Sequence, residues 1–144
     1  MLQIIKGNIN NLQDVRVFYE KCNYDGGVKQ KDCLFLAKIN NRLVGVVRLS
    51  PEMNVLVLRG MQVLPEFQGQ GIGTKLLKSC NDYLVRQSCY CIPWQHLRSF
   101  YGQIGFKEIS PTELPTFLAR RLEKYIAKNM NVIPMFKLGK MTTK

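Results

Sequence analysis

"PEFQGQGIG", residues 65–73, places glycine at positions 69, 71 and 73, between an apolar run ending at Val63 and a stretch with helical patterning. Glycine has no β-carbon, so such a segment accepts left-handed backbone and lets another group approach its amides closely. A strand that runs through glycines into a helix leaves several N–H groups without intrahelical partners, and the helix dipole adds about half a positive charge there. The segment reads as a cradle for an anion.

Spacing separates the kinds of phosphate loop. The dinucleotide fingerprint requires its third glycine at position 74, which is Thr74. The triphosphate loop requires glycine, lysine and then a hydroxyl residue, whereas Gly73, Thr74 and Lys75 follow one another in a different order. Both of those loops also start from a parallel strand–helix–strand unit, and the residues before this one predict hairpins instead.

On the N-terminal side, "CLFLAKI" (33–39) and "LVGVVRL" (43–49) are strand-like runs separated by Asn40, Asn41 and Arg42, and asparagine tolerates the positive φ of a tight hairpin. "SPEMN" predicts a second turn, leading into "VLVLRGMQV" (55–63). Further upstream, Asn10 or Asn11 is a candidate cap for a helix with Leu12, Val15, Phe18 or Tyr19, and Cys22 on its apolar side, ending before the breaker "NYDGG".

On the C-terminal side the apolar period changes from two to about 3.6 at the glycines, with Ile72, Leu76, Leu77, Cys80, Tyr83 and Leu84 on one helix face. "CYCI" (89–92) predicts a short strand stopped by Pro93, "WQHLRSFYGQI" a helix closed by Gly105, and "FKEI" a returning strand. Ser110 and Pro111 open a long amphipathic helix marked by Leu114, Phe117, Leu118, Leu122, Tyr125 and Ile126. "VIPMFKL" predicts a final strand, with Pro134 making it an edge or bulged one, and the tail "GKMTTK" is expected to fray.

The bulk composition narrows the function classes. A chain of 144 residues suits one domain, 1–144, and 46% hydrophobic with 22% charged residues is ordinary globular usage. No apolar run approaches the roughly 20 residues that span a bilayer, so no membrane partner is expected and the protein is placed in the cytoplasm. Five cysteines without an export signal favour reduced thiols. Cys89 and Cys91 have no second close pair to complete a zinc site, and the chain has one histidine, His96, so no metal is expected. The net charge of +11 attracts polyanions, yet the basic residues are dispersed; the densest group, Arg120, Arg121, Lys124 and Lys128, reads as the solvated side of a helix rather than a nucleic-acid surface.

Gln68-x-x-Gly71-x-Gly73 resembles the signature of the GNAT superfamily of acyl-coenzyme A-dependent N-acyltransferases, Gln or Arg-x-x-Gly-x-Gly or Ala. A second match follows about thirty residues later, where "SFYGQIGF", Ser99 to Phe106, is similar to that family's Phe-Tyr-x-x-x-Gly-Phe segment. The resemblance covers roughly residues 1 to 109. It implies an α/β (α+β) fold with a mixed, mainly antiparallel sheet, a splayed central parallel pair and flanking helices. Relative to that pattern the chain carries an extra helix from about 114 to 128 before its last strand.

The resemblance further implies acetyl-CoA as co-substrate. The pantetheine arm would lie along the strand end at Met61, Gln62 and Val63, whose splayed partner is Cys89 to Ile92. The pyrophosphate would rest on Gln68, Gly69, Gln70, Gly71, Ile72, Gly73 and Thr74. A β-carbon at Gly69, Gly71 or Gly73 would obstruct phosphate or force a disfavoured φ. Lys75 and Lys78 stand near the same helix end.

By the same resemblance Tyr101 is the general acid that protonates the departing thiolate, and a backbone N–H near Val63 stabilises the oxyanion of a direct attack. The acceptor is then a primary amine of a small molecule or peptide, acetylated in a ternary complex. "VLVLRGMQV" has no carboxylate where many family members carry a glutamate, leaving Glu52, Glu66 and His96 as candidate bases, His96 first. Trp94 and Leu97 stand where relatives have Asn and Ala. These departures sustain a second reading, a non-catalytic acyl-CoA sensor or regulatory protein of the same fold. A homodimer through the last strand is a further expectation.

Overall fold

The structure is a computed structural model that describes residues 1–140, and residues 141–144, most of the tail expected to fray, lie outside the described residues. Two compact units divide the chain, Met1–Tyr83 and Leu84–Lys144.

The first unit is an antiparallel sheet with a helix on each face. Its strands are β1 (Leu2–Lys6), β2 (Cys33–Ile39), β3 (Arg42–Glu52) and β4 (Val55–Val63), paired in that order. β1 has no counterpart in the sequence reading, because five residues with the burial of an edge strand carry little pattern. The hairpins are tight: Asn40 and Asn41 have φ of 48° and 70°, as the asparagines predict. The next turn is narrower than "SPEMN" suggests. Only Met53 and Asn54 turn, with φ of 47° and 67°, while Ser50 to Glu52 stay in β3 with Pro51 opposite Leu56.

Helix α1 (Leu12–Lys21) buries Leu12, Val15, Phe18 and Tyr19. Asn11 stands at its N-cap position, one of the two asparagines expected there, though its side chain makes no cap bond to the helix. The side-chain capping belongs to the preceding 3-10 turn at Ile9–Asn11, where Asn8 accepts from the Asn10 amide while the Asn11 side chain accepts from the Asn8 amide. Helix α2 (Ile72–Tyr83) buries Ile72, Leu76, Leu77 and Cys80 against the other face. Gly45 permits that approach, since a β-carbon there would lie 3.0 Å from Leu76 Cδ1. Three residues along β3, Arg48 points to the opposite face, towards α1.

The second unit contains β5 (Cys89–Cys91), α3 (Arg98–Gly102), β6 (Lys107–Glu108), α4 (Thr116–Ala127) and β7 (Met135–Lys137). β7 pairs antiparallel with β5 on one side and β6 on the other. That corrects the reading of the last strand as an edge: Pro134 sits just before the ladder, and its carbonyl accepts from the Ile109 amide at 3.1 Å. With both sides of β7 occupied, the strand offers no free edge for pairing with a second copy.

The single helix expected from Trp94 to Ile104 is instead a 3-10 turn at Gln95–Leu97 followed by the short α3. Trp94 is drawn out of it by a bridge to Val132. Helix α4 falls where the periodicity places it, after a 3-10 turn capped by Ser110 and Glu113. It buries Leu118 and Leu122 but leaves Ile126 55% exposed. Gly139 and Lys140 do not fray, because their amides donate to Ser88 Oγ at 3.0 Å and the Val85 carbonyl at 2.8 Å.

The expected fold class, α/β with a mainly antiparallel sheet and flanking helices, is the one observed. No helix among the described residues is long and apolar enough to cross a membrane.

Candidate functional site

The first unit carries the candidate donor site. β4 ends at Val63, and a 3-10 turn at Pro65–Phe67 leads into the glycine segment and α2. In that turn the Phe67 and Gln68 amides donate to Leu64 O and Pro65 O at 2.9 and 3.2 Å. The first bond into α2 runs from the Lys75 amide to Gly71 O, at 3.1 Å. Between these, the amides from Gly69 to Thr74 take no backbone acceptor among the described residues, as expected for a helix start.

Glycine is required at two of the three positions. Gly69 and Gly71 have φ of +79° and +83°, in the left-handed region, and a β-carbon at either would meet no heavy atom within 4 Å. Their need is conformational, and the space over them is open. Gly73 lies in the first turn of α2 and is not among the positive-φ glycines, so the φ argument does not extend to it. Gln68, Gly69, Gln70 and Gly71 are exposed, Ile72 is buried in the core, and Gly73 and Thr74 are half-buried.

Two glutamines brace the loop from within. Gln68 Nε2 donates to Val63 O at 2.9 Å and Gln70 Nε2 to Glu66 O at 3.4 Å. The first of these ties the loop to the last residue of β4. The segment Met61, Gln62 and Val63 is half-buried. It follows a β-bulge, since Val46 faces Gln62 while Arg48 faces Arg59, an extra residue on β4. Gly60, at φ +68°, takes the bend.

This donor-rich loop fits a phosphorylated ligand: amides without backbone acceptors at a helix N-terminus, glycines where a side chain would strain the backbone, and no carboxylate among residues 67–75. The candidate bases of this unit are both in ion pairs. Glu52 Oε2 lies 3.5 Å from Arg59 Nη1, and Glu66 Oε2 lies 3.1 Å from Arg42 Nη2.

The second unit holds the remaining candidates. Tyr101 sits in α3 and is 5% exposed, with Phe100 and Phe106 in edge-on contact at centroid separations of 5.0 and 6.1 Å. The motif explains this packing, because Phe100 precedes the tyrosine and Gly105, at φ +101°, turns the chain so that Phe106 comes back against it. His96 is exposed on the 3-10 turn before α3. Trp94 is 44% exposed and half-buried Leu97 ends that turn.

Cys89 and Cys91 are buried in β5, and burial, with the neighbouring Cys89 thiol adding to it, pushes the Cys91 thiol well above the usual range. A thiol held protonated is a poor nucleophile. No cluster of three metal-ligating side chains occurs among the described residues.

Sequence reasoning did not find the bulge or the polar cluster beneath it: the pattern marks Tyr19 only as an apolar position of the first helix, and singles out neither Asp32 nor Arg48. The signals were a glycine inside "VLVLRGMQV" and an arginine inside "LVGVVRL", each out of place in an apolar strand unless it bends or is paired.

Comparison with solved structures shows the same fold. N-acetylglutamate synthase from Neisseria gonorrhoeae, in complex with coenzyme A and N-acetyl-glutamate, matches over 98% of this chain with a TM-score of 0.69 and 14% identity. The chain spans 36% of that synthase. Naa50 from Arabidopsis thaliana, in complex with the bisubstrate analogue CoA-Ac-MVNAL, matches over 94% of this chain and 97% of its own, with a TM-score of 0.66 and 16% identity. The ribosomal-protein-S18-alanine N-acetyltransferase from Escherichia coli matches over 100% and 97%, with a TM-score of 0.67 and 15% identity. Among curated proteins, none matches the chain in sequence. The family model for the acetyltransferase (GNAT) domain matches residues 30–108, more than half of the chain, from β2 through β6 and across both the glycine loop and Tyr101. By that match the chain belongs to the GNAT acetyltransferase family.

Proposed function

We propose that the protein is an N-acetyltransferase that moves the acetyl group of acetyl-CoA to a primary amine of a small molecule or peptide, by direct attack in a ternary complex. The observation that carries this reading is the β4–loop–α2 segment, whose amides from Gly69 to Thr74 lack backbone acceptors among the described residues, with open space at Gly69 and Gly71. The neighbours named above support an acyl-CoA donor and an amine acceptor, since two are complexed with coenzyme A or its conjugate.

In this reading the amides of Gly69 to Thr74 hold the pyrophosphate, the Gln68 and Gln70 side chains stiffen the loop, and the backbone of Met61 to Val63 lies along the pantetheine arm. The amine nitrogen attacks the thioester carbonyl. A C–N bond forms, and a backbone N–H near Val63 stabilises the oxyanion. The C–S bond then breaks, and the Tyr101 hydroxyl gives its proton to the departing thiolate. That thiolate has a conjugate-acid pKa of about 8.5, so the acid has modest work to do.

An alkyl ammonium, with a pKa of about 10, must lose its proton first. His96 is the candidate base, directly or through water, because Glu52 and Glu66 are already engaged by Arg59 and Arg42.

A specific observation favours one alternative. β4 carries no carboxylate from Val55 to Val63, which suits an acyl-CoA sensor that binds without turnover. Release of coenzyme A thiol from acetyl-CoA across a panel of amines decides between them. Release that depends on one class of amine names the acceptor, and a bell-shaped pH profile that loses a limb in His96→Asn assigns the base. Tight acetyl-CoA binding with no release on any amine would leave the sensor.

A further inference from the structure

Beneath the bulge of β4 lies a buried polar cluster that the transfer chemistry above does not use. A bulge leaves one residue of the longer strand outside the ladder, so its polar groups need partners from elsewhere. Gly60 O finds one in Tyr19 of α1, whose hydroxyl donates at 2.9 Å across a sequence separation of 41 residues. Burial raises the Tyr19 hydroxyl above the usual tyrosine range, which keeps it protonated and able to donate.

Arg48 supports that tyrosine from β3. Its guanidinium lies 5.4 Å from the Tyr19 ring centroid and 5.8 Å from that of Tyr24, and the two rings meet edge-on at 4.6 Å. Arg48 is itself fixed by Asp32, with Nε 3.1 Å from Oδ2, and by Gly27 O, which accepts from Nη2 at 3.1 Å. Both charged side chains are essentially inaccessible, at 0% and 1% exposure.

The cluster is built for position rather than for stability. A buried ion pair gains little over well-packed apolar residues of similar volume, and here, among the described residues, Asp32 Oδ1, Arg48 Nε and Arg48 Nη1 have no hydrogen-bond partner, so the contact of Nε with Asp32 is an ion pair alone. Its geometry leaves room only for glycine at the bulge. A β-carbon on Gly60 would stand 2.2 Å from Tyr19 Oη and 2.6 Å from Arg48 Nη1.

The bulge sets the phase of all that follows it. Adding or removing one residue in a strand exchanges its two faces and the edge to which each N–H and C=O points. Without it, Met61, Gln62 and Val63 would present the opposite set of backbone groups. We propose that Tyr19 and Arg48, anchored by Asp32, are positioning residues that lock the β4 bulge at Gly60 and thereby aim the backbone of Met61–Val63 at the acyl donor. The proposal rests on the acetyl-CoA reading for its ligand, but not for its geometry.

The test is Tyr19→Phe in the full chain, with coenzyme A binding followed by calorimetry and amide hydrogen exchange followed at residues 60–63. A part-buried carbonyl left without its donor is destabilised where it stands. The expected result is faster exchange at residues 60–63 and coenzyme A binding weakened about tenfold, at a temperature where circular dichroism shows the variant folded. Unchanged exchange and affinity would overturn the proposal. Should Tyr19→Phe not fold, Asp32→Asn keeps the tyrosine but loosens Arg48, and the same two readouts should move in the same direction by a smaller factor. Loss of the fold in both variants would assign the cluster to stability alone and also overturn it. If the unsubstituted protein binds no coenzyme A, the acetyltransferase reading fails, while exchange at residues 60–63 still decides the role of Tyr19.

Discussion

The glycine loop of the first unit and the tyrosine helix of the second present their chemistry by opposite means. Around residues 68–74 the groups proposed to bind are backbone amides, left over where a strand ends and a helix begins, and the glutamine side chains nearby serve as braces. Around α3 the group proposed to act is one side-chain hydroxyl, its ring packed against two aromatic rings on an element only five residues long. A backbone site is robust to most side-chain changes and sensitive to those that alter φ. A side-chain site fails when one atom is removed.

The largest expected effect is on the scaffold of the second unit. Leu118 of α4 is fully buried, and Leu118→Ala should lower stability by about 3 kcal/mol, as leucine-to-alanine changes in cores do. Chemical denaturation measures it. A cost under about 1 kcal/mol would mean that α4 is a peripheral addition and that the tyrosine helix is held by other elements.

Removal of the Tyr101 hydroxyl comes next. Tyr101→Phe keeps the ring packing against Phe100 and Phe106 and takes away the proton donor. It should lower kcat about a hundredfold, the lower range for general acid catalysis, with acetyl-CoA affinity unchanged. An equal loss in affinity would break the contrast, because the tyrosine would then be part of donor binding.

The loop should behave in the opposite way. Gly71→Val forces a β-branched residue to φ near +83°, a strain of about 1–3 kcal/mol, relieved by distorting the loop. Acetyl-CoA binding should weaken about tenfold or more, while kcat at saturating donor changes little. Gly73→Ala, in ordinary helical backbone, should be milder by comparison. Equal effects at 71 and 73 would show that space over the loop matters more than its conformation.

The same contrast explains how much was legible in the sequence. Runs with a clear period, β2 to β4, α2 and α4, stand close to where their pattern puts them, because one buried face dictates the spacing. The loop was legible because its left-handed backbone at 69 and 71 demands glycine, a residue with a physical signature. Failures fall where non-local partners decide. Nothing in "VIPMFKL" says that β5 and β6 will take both of its sides, nor in "WQHLRSFY" that Val132 will draw Trp94 away and break the helix. The Tyr19–Gly60 bond joins residues 41 apart, so its elements were visible and its pairing was not.

The smallest expected effect concerns charge. Arg120, Lys124 and Lys128 are exposed along α4, while Leu118 and Leu122 of the same helix are buried, the arrangement of a solvated face. Replacing all three by alanine should change stability by no more than about 0.5 kcal/mol per site and leave acetyl-CoA affinity untouched, because exposed charges far from a buried feature contribute little. It should also leave any affinity for DNA or RNA in low salt where it was. Dispersed positive charge produces weak attraction without a site, and weakening one helix of it removes only a share of a general field. A steep loss of nucleic-acid binding in the triple variant, with a shallower salt dependence, would instead make α4 a localised polyanion surface. The second unit would then carry a second kind of site, spread over several side chains, beside the single hydroxyl of Tyr101.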